Sequence, residues 1–160
     1  MFVFDLDNTI IIHNNNIDYN NIKEDSDLLY LMNQLPNNKY IYTNGTYSHA
    51  HIILNKMNLY NKNKNKLLFE KIYARDTLPY MKPYKESYDF VERDIIYSNN
   101  LINKIHFFDY LKENLLSAKK KGWITIWIHP NYYQKENYID YSFDTLHKAL
   151  IYFNKLYIVK

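Results

Sequence analysis

Short apolar runs alternate along the chain with stretches whose apolar residues recur at helical spacing. Phe2–Leu6 predicts a buried strand, and residues 8–25 an irregular flap with weak alternation around Ile10–Ile12. Asp25 or Ser26 can cap a helix carrying Leu28, Leu29, Leu31, Met32 and Leu35, closed by Pro36. Lys39–Tyr42 predicts a second strand, broken by Thr43-Asn44-Gly45-Thr46, and Ala50, Ile53, Leu54 and Met57 mark the next helix. Phe69–Tyr73 predicts a third strand and Arg75–Lys82 a loop. Pro83 fits the first turn of a helix carrying Tyr88, Phe90 and Val91, where its missing N–H leaves nothing unpaired. Lys104–Phe108 predicts a fourth strand ending at Asp109, Leu111–Lys121 a helix stopped by Gly122, and Ile124–Ile128 a fifth strand. A short strand within Tyr138–Phe143 and an amphipathic helix over Asp144–Asn154 complete the pattern.

Strands that alternate with helices imply parallel pairing with helical crossovers. The expected fold is a three-layer α/β/α sandwich with a Rossmann-like, mainly parallel sheet of five or six strands. At 160 residues with 47% apolar content, the chain is expected to form a single domain over residues 1–160 with a full core. No apolar run approaches the roughly 20 residues of a membrane span, cysteine is absent, and the first strand follows Met1 directly. These features lead us to expect a cytoplasmic protein with no membrane partner. The net charge of +3 is compatible with anionic substrates and too small to argue for nucleic-acid binding. Heavy use of Asn, Lys, Ile and Tyr follows from A/T-rich codons, and we read Asn14–Asn16 and the Asn/Lys alternation at 61–66 as solvated loops.

Against this background, polar residues collect at one kind of place. Asp5 and Asp7 lie one residue apart, so in a strand they share a face. Thr43 and Asn44 follow the second strand, Asp109 ends the fourth, and Lys82 opens a helix. Parallel strands bring their carboxyl ends to one edge of the sheet, where open α/β sheets place their ligands. The set combines carboxylates for a hard cation, a hydroxyl with free backbone N–H groups, and one lysine, which suits a phosphoryl group.

In order along the chain, Asp5-Leu6-Asp7-Asn8-Thr9, Thr43-Asn44-Gly45, Lys82-Pro83 and Phe107-Phe108-Asp109 resemble the four motifs of the haloacid dehalogenase-like phosphohydrolases. Asp76-Thr77-Leu78, the run from Phe108 to Asn114, Ala118-Lys119 and Gly122-Trp123 are similar to its pyrimidine 5′-nucleotidase-like branch. The resemblance implies a phosphatase in which Asp5 is the nucleophile that forms an aspartyl-phosphate and Asp7 the general acid and base. It implies that Thr43 and the Asn44 backbone bind phosphate oxygens and that Lys82 neutralises phosphate and nucleophile charge. It also implies that Mg²⁺ is held by Asp5, the Asp7 carbonyl and Asp109. A carboxylate nucleophile needs no base at neutral pH, only relief from repulsion by an anionic substrate.

Two departures stand out. That branch carries a second aspartate where this chain has Tyr110, and the flap after Asp7 lacks small residues. About 35 residues separate Asp7 from Thr43 and a similar number separate Asn44 from Lys82, so no cap domain fits between the motifs. An open site admits a phosphorylated protein or nucleic-acid end, or is closed by a second copy of the chain in a homo-oligomer. The branch resemblance instead implies a small phosphomonoester such as a nucleoside monophosphate, which is the reading preferred here. An inert interaction module on the same fold is the competing class. His49 and His51 sit two apart on a helix, face different ways, and are not expected to form a metal site. His106 and Asn114 read as structural, and His129 sits where it could edge the site.

Overall fold

In the computed structural model, which describes residues 1–14, 16–100 and 104–158, six parallel strands form one sheet. They are β1 (Phe2–Phe4), β2 (Lys39–Tyr42), β3 (Lys71–Tyr73), β4 (His106–Asp109), β5 (Ile124–Ile128) and β6 (Tyr141–Phe143), in the order β3-β2-β1-β4-β5-β6. Five helices connect and follow them: α1 (Ser26–Gln34), α2 (Tyr47–Lys56), α3 (Lys85–Asn99), α4 (Lys112–Lys120) and α5 (Leu146–Ile158).

Every residue of β1 and β2 is buried, on both faces, as a covered parallel sheet requires, while β3 and β6 at the edges are partly exposed. Phe2, Phe4 and Ile41 face a core built with Leu28 and Met32 of α1, Ile53 and Leu54 of α2, and Leu150 and Phe153 of α5. Val3, Tyr42 and Phe107 face the opposite core with Tyr88, Val91 and Ile95 of α3 and Leu115 of α4. The three-layer sandwich is therefore as expected, and all six strands are parallel. Local chemistry closes the elements. Asp25 Oδ1 accepts from Leu28 N at 2.9 Å to cap α1. Gly122 takes φ +81° after α4, where the N–H groups of Gly122 and Trp123 return to Lys119 and Ala118 carbonyls.

Several boundaries differ from the sequence expectation. The third strand keeps only Lys71–Tyr73 of the apolar run, and the last helix starts at Leu146 and continues past Asn154. Lys82 does not open a helix. Lys82 and Pro83 lie before α3, joined by a cis peptide bond, and Tyr84 is the residue that precedes the first helical turn. Asn15, in the middle of the asparagine run, lies outside the described residues.

Chain order places β1 at the reversal point. The chain moves outward from β1 through β2 to β3, then returns to pair β4 on the other side of β1. A crevice forms beyond the carboxyl ends of strands that diverge in this way. Between Asp7 and Thr43 the described residues hold a flap with a one-turn 3₁₀ helix (Tyr19–Asn21), α1 and β2. Between Asn44 and Lys82 they hold α2 and β3, so no cap domain is inserted among the described residues. No described helix is long and apolar enough to cross a membrane.

Candidate active site

Asp5 continues β1, its N–H donating to the Phe108 carbonyl at 2.9 Å, and its side chain turns into the crevice. There the Lys82 ammonium bridges two carboxylates, 3.0 Å from Asp5 Oδ1 and 2.9 Å from Asp109 Oδ2. The Tyr42 carbonyl accepts its third proton at 2.7 Å, and the rings of Tyr42 and Phe107 flank it at 4.9 and 5.3 Å. All three charged groups are buried. Burial pushes the Asp5 carboxyl up to about 7, reinforced by the Asp109 carboxylate and opposed by Lys82 and the Thr9 hydroxyl, which donates to Oδ2 at 3.0 Å. Burial works against the Lys82 charge, but Asp109 and Asp5 together hold its ammonium well above the ordinary lysine value.

The second half of the pair has different neighbours. Asn8 adopts a left-handed conformation (φ 61°), and its side-chain oxygen accepts from His13 N at 3.1 Å, which turns the flap back over the strand end. Asp7 therefore does not share Asp5's surroundings, although the two lie one residue apart. His13 Nε2 meets Asp7 Oδ1 at 2.6 Å, and His49 Nε2 lies 3.0 Å from the same oxygen and 3.2 Å from Oδ2. Tyr19 contacts His49 Nδ1 through its hydroxyl at 2.7 Å. The expectation that His49 stands apart from any ligand cluster is thus corrected. His51 does point away into solvent, but His49 joins His13, a residue the sequence reading did not single out. Gly45 makes the approach of His49 feasible, because a Cβ there would fall 2.9 Å from the His49 ring.

The other expected residues converge on the same place. A cavity of about 200 Å³ is lined by Asp5, Asp7, Thr43, Asn44, Lys82 and Asn114, together with Asn8, Gly45, Tyr110 and Leu111. Asp109 lies behind it, fully buried, its Oδ1 accepting from Leu111 N and its Oδ2 from Asn114 Nδ2 at 3.0 Å. Asn44 uses its side chain on the chain rather than on the cavity: Oδ1 accepts from Lys82 N at 3.0 Å and Nδ2 donates to Lys82 O at 2.9 Å. This clasp fixes the segment that delivers the lysine. Thr43 Oγ accepts from Gly45 N at 3.0 Å and retains its proton for a further partner.

Asn114 does contact the site, through Asp109, and its Oδ1 is buried without a hydrogen-bond partner. Tyr110, standing where the resemblance leads one to expect aspartate, packs against His129 with ring centroids 4.7 Å apart. Together they line a second cavity of about 390 Å³ with Ile128, Pro130 and His13, which shares Asn8 and Tyr110 with the first. His129 thus edges the neighbouring cavity rather than the carboxylate crevice. His106 lies in the sheet against Phe2 and Phe153, away from the site.

With both carboxylates ionised, two negative charges face the single Lys82 charge. Oxygen donors of this kind fit Mg²⁺.

In structure, the chain matches the L-2-haloacid dehalogenase of Xanthobacter autotrophicus, solved with chloropropionic acid covalently bound. The TM-score is 0.60 at 16% identity, over 83% of this chain and 62% of that one. The fold is that of the haloacid dehalogenases. The chain spans under two thirds of the dehalogenase's length. No protein-family model and no curated protein sequence matches it.

Proposed function

We propose that this chain is a phosphomonoester hydrolase that acts through Asp5. The observation that carries the reading is the buried Asp5–Lys82–Asp109 cluster at the floor of a cavity whose rim holds Asp7. Asp5 Oδ1 or Oδ2 attacks phosphorus, and the bond from phosphorus to the ester oxygen breaks as Asp7 gives that oxygen a proton. Asp7 then takes a proton from water, the water oxygen attacks phosphorus, and inorganic phosphate leaves a regenerated Asp5. Lys82 offsets the negative charge of nucleophile and phosphate, and the Thr43 hydroxyl donates to a phosphate oxygen. Since Asn44's side chain is committed to Lys82, its contribution falls to its main-chain N–H.

Mg²⁺ would be held by Asp5, Asp109 and the Asp7 carbonyl, where it would stabilise the charge that develops on the phosphoryl oxygens. The raised Asp5 carboxyl supports this reading, because a cation beside it favours the ionised, nucleophilic form. The covalently bound acid in the dehalogenase of the same fold is further support for a covalent intermediate.

For substrate, we favour a small phosphomonoester of the nucleotide kind, whose leaving group is a nucleoside. The adjoining cavity supports it, since Tyr110 and His129 line it with an aromatic wall beside which the base of the departing nucleoside can lie. The absence of an inserted cap keeps a phosphopeptide or a phosphorylated oligonucleotide end as the second reading. The test is turnover of p-nitrophenyl phosphate with Mg²⁺, expected in the wild type and lost in Asp5→Asn. No turnover by folded protein with Mg²⁺, Mn²⁺ or Co²⁺ would leave the inert interaction module as the better account. A panel of nucleoside monophosphates, phosphopeptides and 3′- or 5′-phosphorylated oligonucleotides then ranks the substrate classes by kcat/KM.

A further inference from the structure

We propose that Asp7, His13 and His49 form a second divalent-metal site, of the nitrogen-and-oxygen type suited to Zn²⁺, at the rim of the cavity. Three segments deliver the donors: the stretch that follows β1, the flap six residues further on, and the first turn of α2, 42 residues from Asp7. The same atom of each imidazole, Nε2, points at one carboxylate, and one ligand atom from each residue lies within 4.8 Å of the others. Zn²⁺ binds imidazole nitrogen at about 2.0–2.1 Å, which sets ligand atoms roughly 3.3 Å apart in a tetrahedron. The observed contacts of 2.6 and 3.0 Å reach that spacing through small side-chain shifts.

The surroundings are those of a ligand site. The side chains are 16% (His13), 13% (His49) and 32% (Asp7) exposed, so an ion can reach them and find a fourth position open to water. Gly45 leaves the room that the His49 ring occupies. The Tyr19 hydroxyl on His49 Nδ1 supplies the outer partner that metal-bound histidines use to hold their ring and tautomer. With the ion on Nε2, the His49 proton sits on Nδ1 and is donated to the Tyr19 oxygen. Two imidazoles separate this site in chemistry from the all-oxygen donors at Asp5 and Asp109. One consequence rests on the hydrolase reading: an ion that takes the Asp7 carboxylate removes the proton donor and inhibits turnover.

The test is calorimetric titration of the full chain with Zn²⁺, and visible absorption of the Co²⁺ form, without substrate. One ion per chain is expected, with affinity reduced at least about tenfold in His13→Ala and in His49→Ala, and about tenfold in Tyr19→Phe. His49→Gln, which keeps the side chain's bulk without its imidazole, gives the same loss if His49→Ala fails to fold. Asp5→Asn and His129→Ala are expected to bind as the wild type does. No saturable binding, binding that survives loss of both histidines, or binding abolished by Asp5→Asn would overturn the site. Since no turnover is measured, this failure is distinguishable from failure of the hydrolase reading, which Asp5→Asn tests by itself.

Discussion

Asp5 and Asp7 are the same residue type two positions apart, yet they occupy unlike regions of the molecule. Asp5 is buried among oxygens and one ammonium, with its carboxyl pushed up to about 7 by burial and by Asp109. Asp7 sits a third exposed at the rim, gripped by two imidazoles. The backbone accounts for the division: β1 pairing carries Asp5 inward beside β4, and the left-handed turn at Asn8 brings the flap and its histidine back onto Asp7. An interior carboxylate whose ionised form needs a cation suits nucleophilic attack. One at the rim, a third exposed and hydrogen-bonded to two imidazoles, suits proton transfer.

The largest effect that would break this contrast is at Lys82. Lys82→Met leaves two carboxylates buried without a counter-ion, and we expect a loss of about 3–5 kcal/mol in denaturant unfolding at pH 8. A loss under about 1 kcal/mol would mean that the cluster is hydrated and not interior. Asp5→Asn probes the same region through pH. The folded carboxyl binds its proton more tightly than the unfolded one, so between about pH 4 and 7 the folded state holds more protons. Stability contributed by the protonated Asp5 is therefore lost as pH rises through 7. Relative to the wild type without metal, Asp5→Asn should gain of order 1–2 kcal/mol between pH 5 and pH 8. Parallel stability curves for the two proteins would contradict the raised value.

At the rim, Gly45→Ala should displace the His49 ring from Asp7 and destabilise by about 1 kcal/mol, as modest overpacking does. Histidine resonances read this directly, and an unshifted His49 signal would contradict the close approach. The smallest effect serves to isolate the Asp5 window. His106 lies outside both regions, and burial, aided by the N-terminal charge, lowers its value to about 4. Its neutral form contributes stability above about pH 6.5 that is lost on acidification toward pH 4, the opposite sign to Asp5. His106→Phe should flatten that acid limb in thermal melts and leave the decline toward pH 8 unchanged.

Much of this arrangement was legible in the chain. Carboxylates that interrupt or end apolar runs marked Asp5, Asp7 and Asp109, and a turn after a strand marked Thr43, because in a parallel sheet those ends meet. Residues whose placement depends on irregular backbone were not legible. His13 and His49 are 36 positions apart and meet only because Asn8 turns the flap and Gly45 lacks a Cβ. His51 obscured the signal further, since two helical residues differ by about 200° and only one of them can face the site. Asn44 was read as a phosphate ligand through its backbone, and the clasp of its side chain on Lys82 was not legible, because it depends on the loop before α3, whose path the expectation of a helix starting at Lys82 misplaced.

The assignment of separate jobs to Asp5 and Asp7 is tested most directly by locating the phosphoryl group on the protein during turnover. On the proposed mechanism Asp7→Asn removes the base that frees Asp5, so rapid quenching with p-nitrophenyl phosphate and Mg²⁺, followed by peptide mass mapping, should find the group accumulated on Asp5. Phosphate on His13 or His49, or no covalent species while product still forms, would contradict the account.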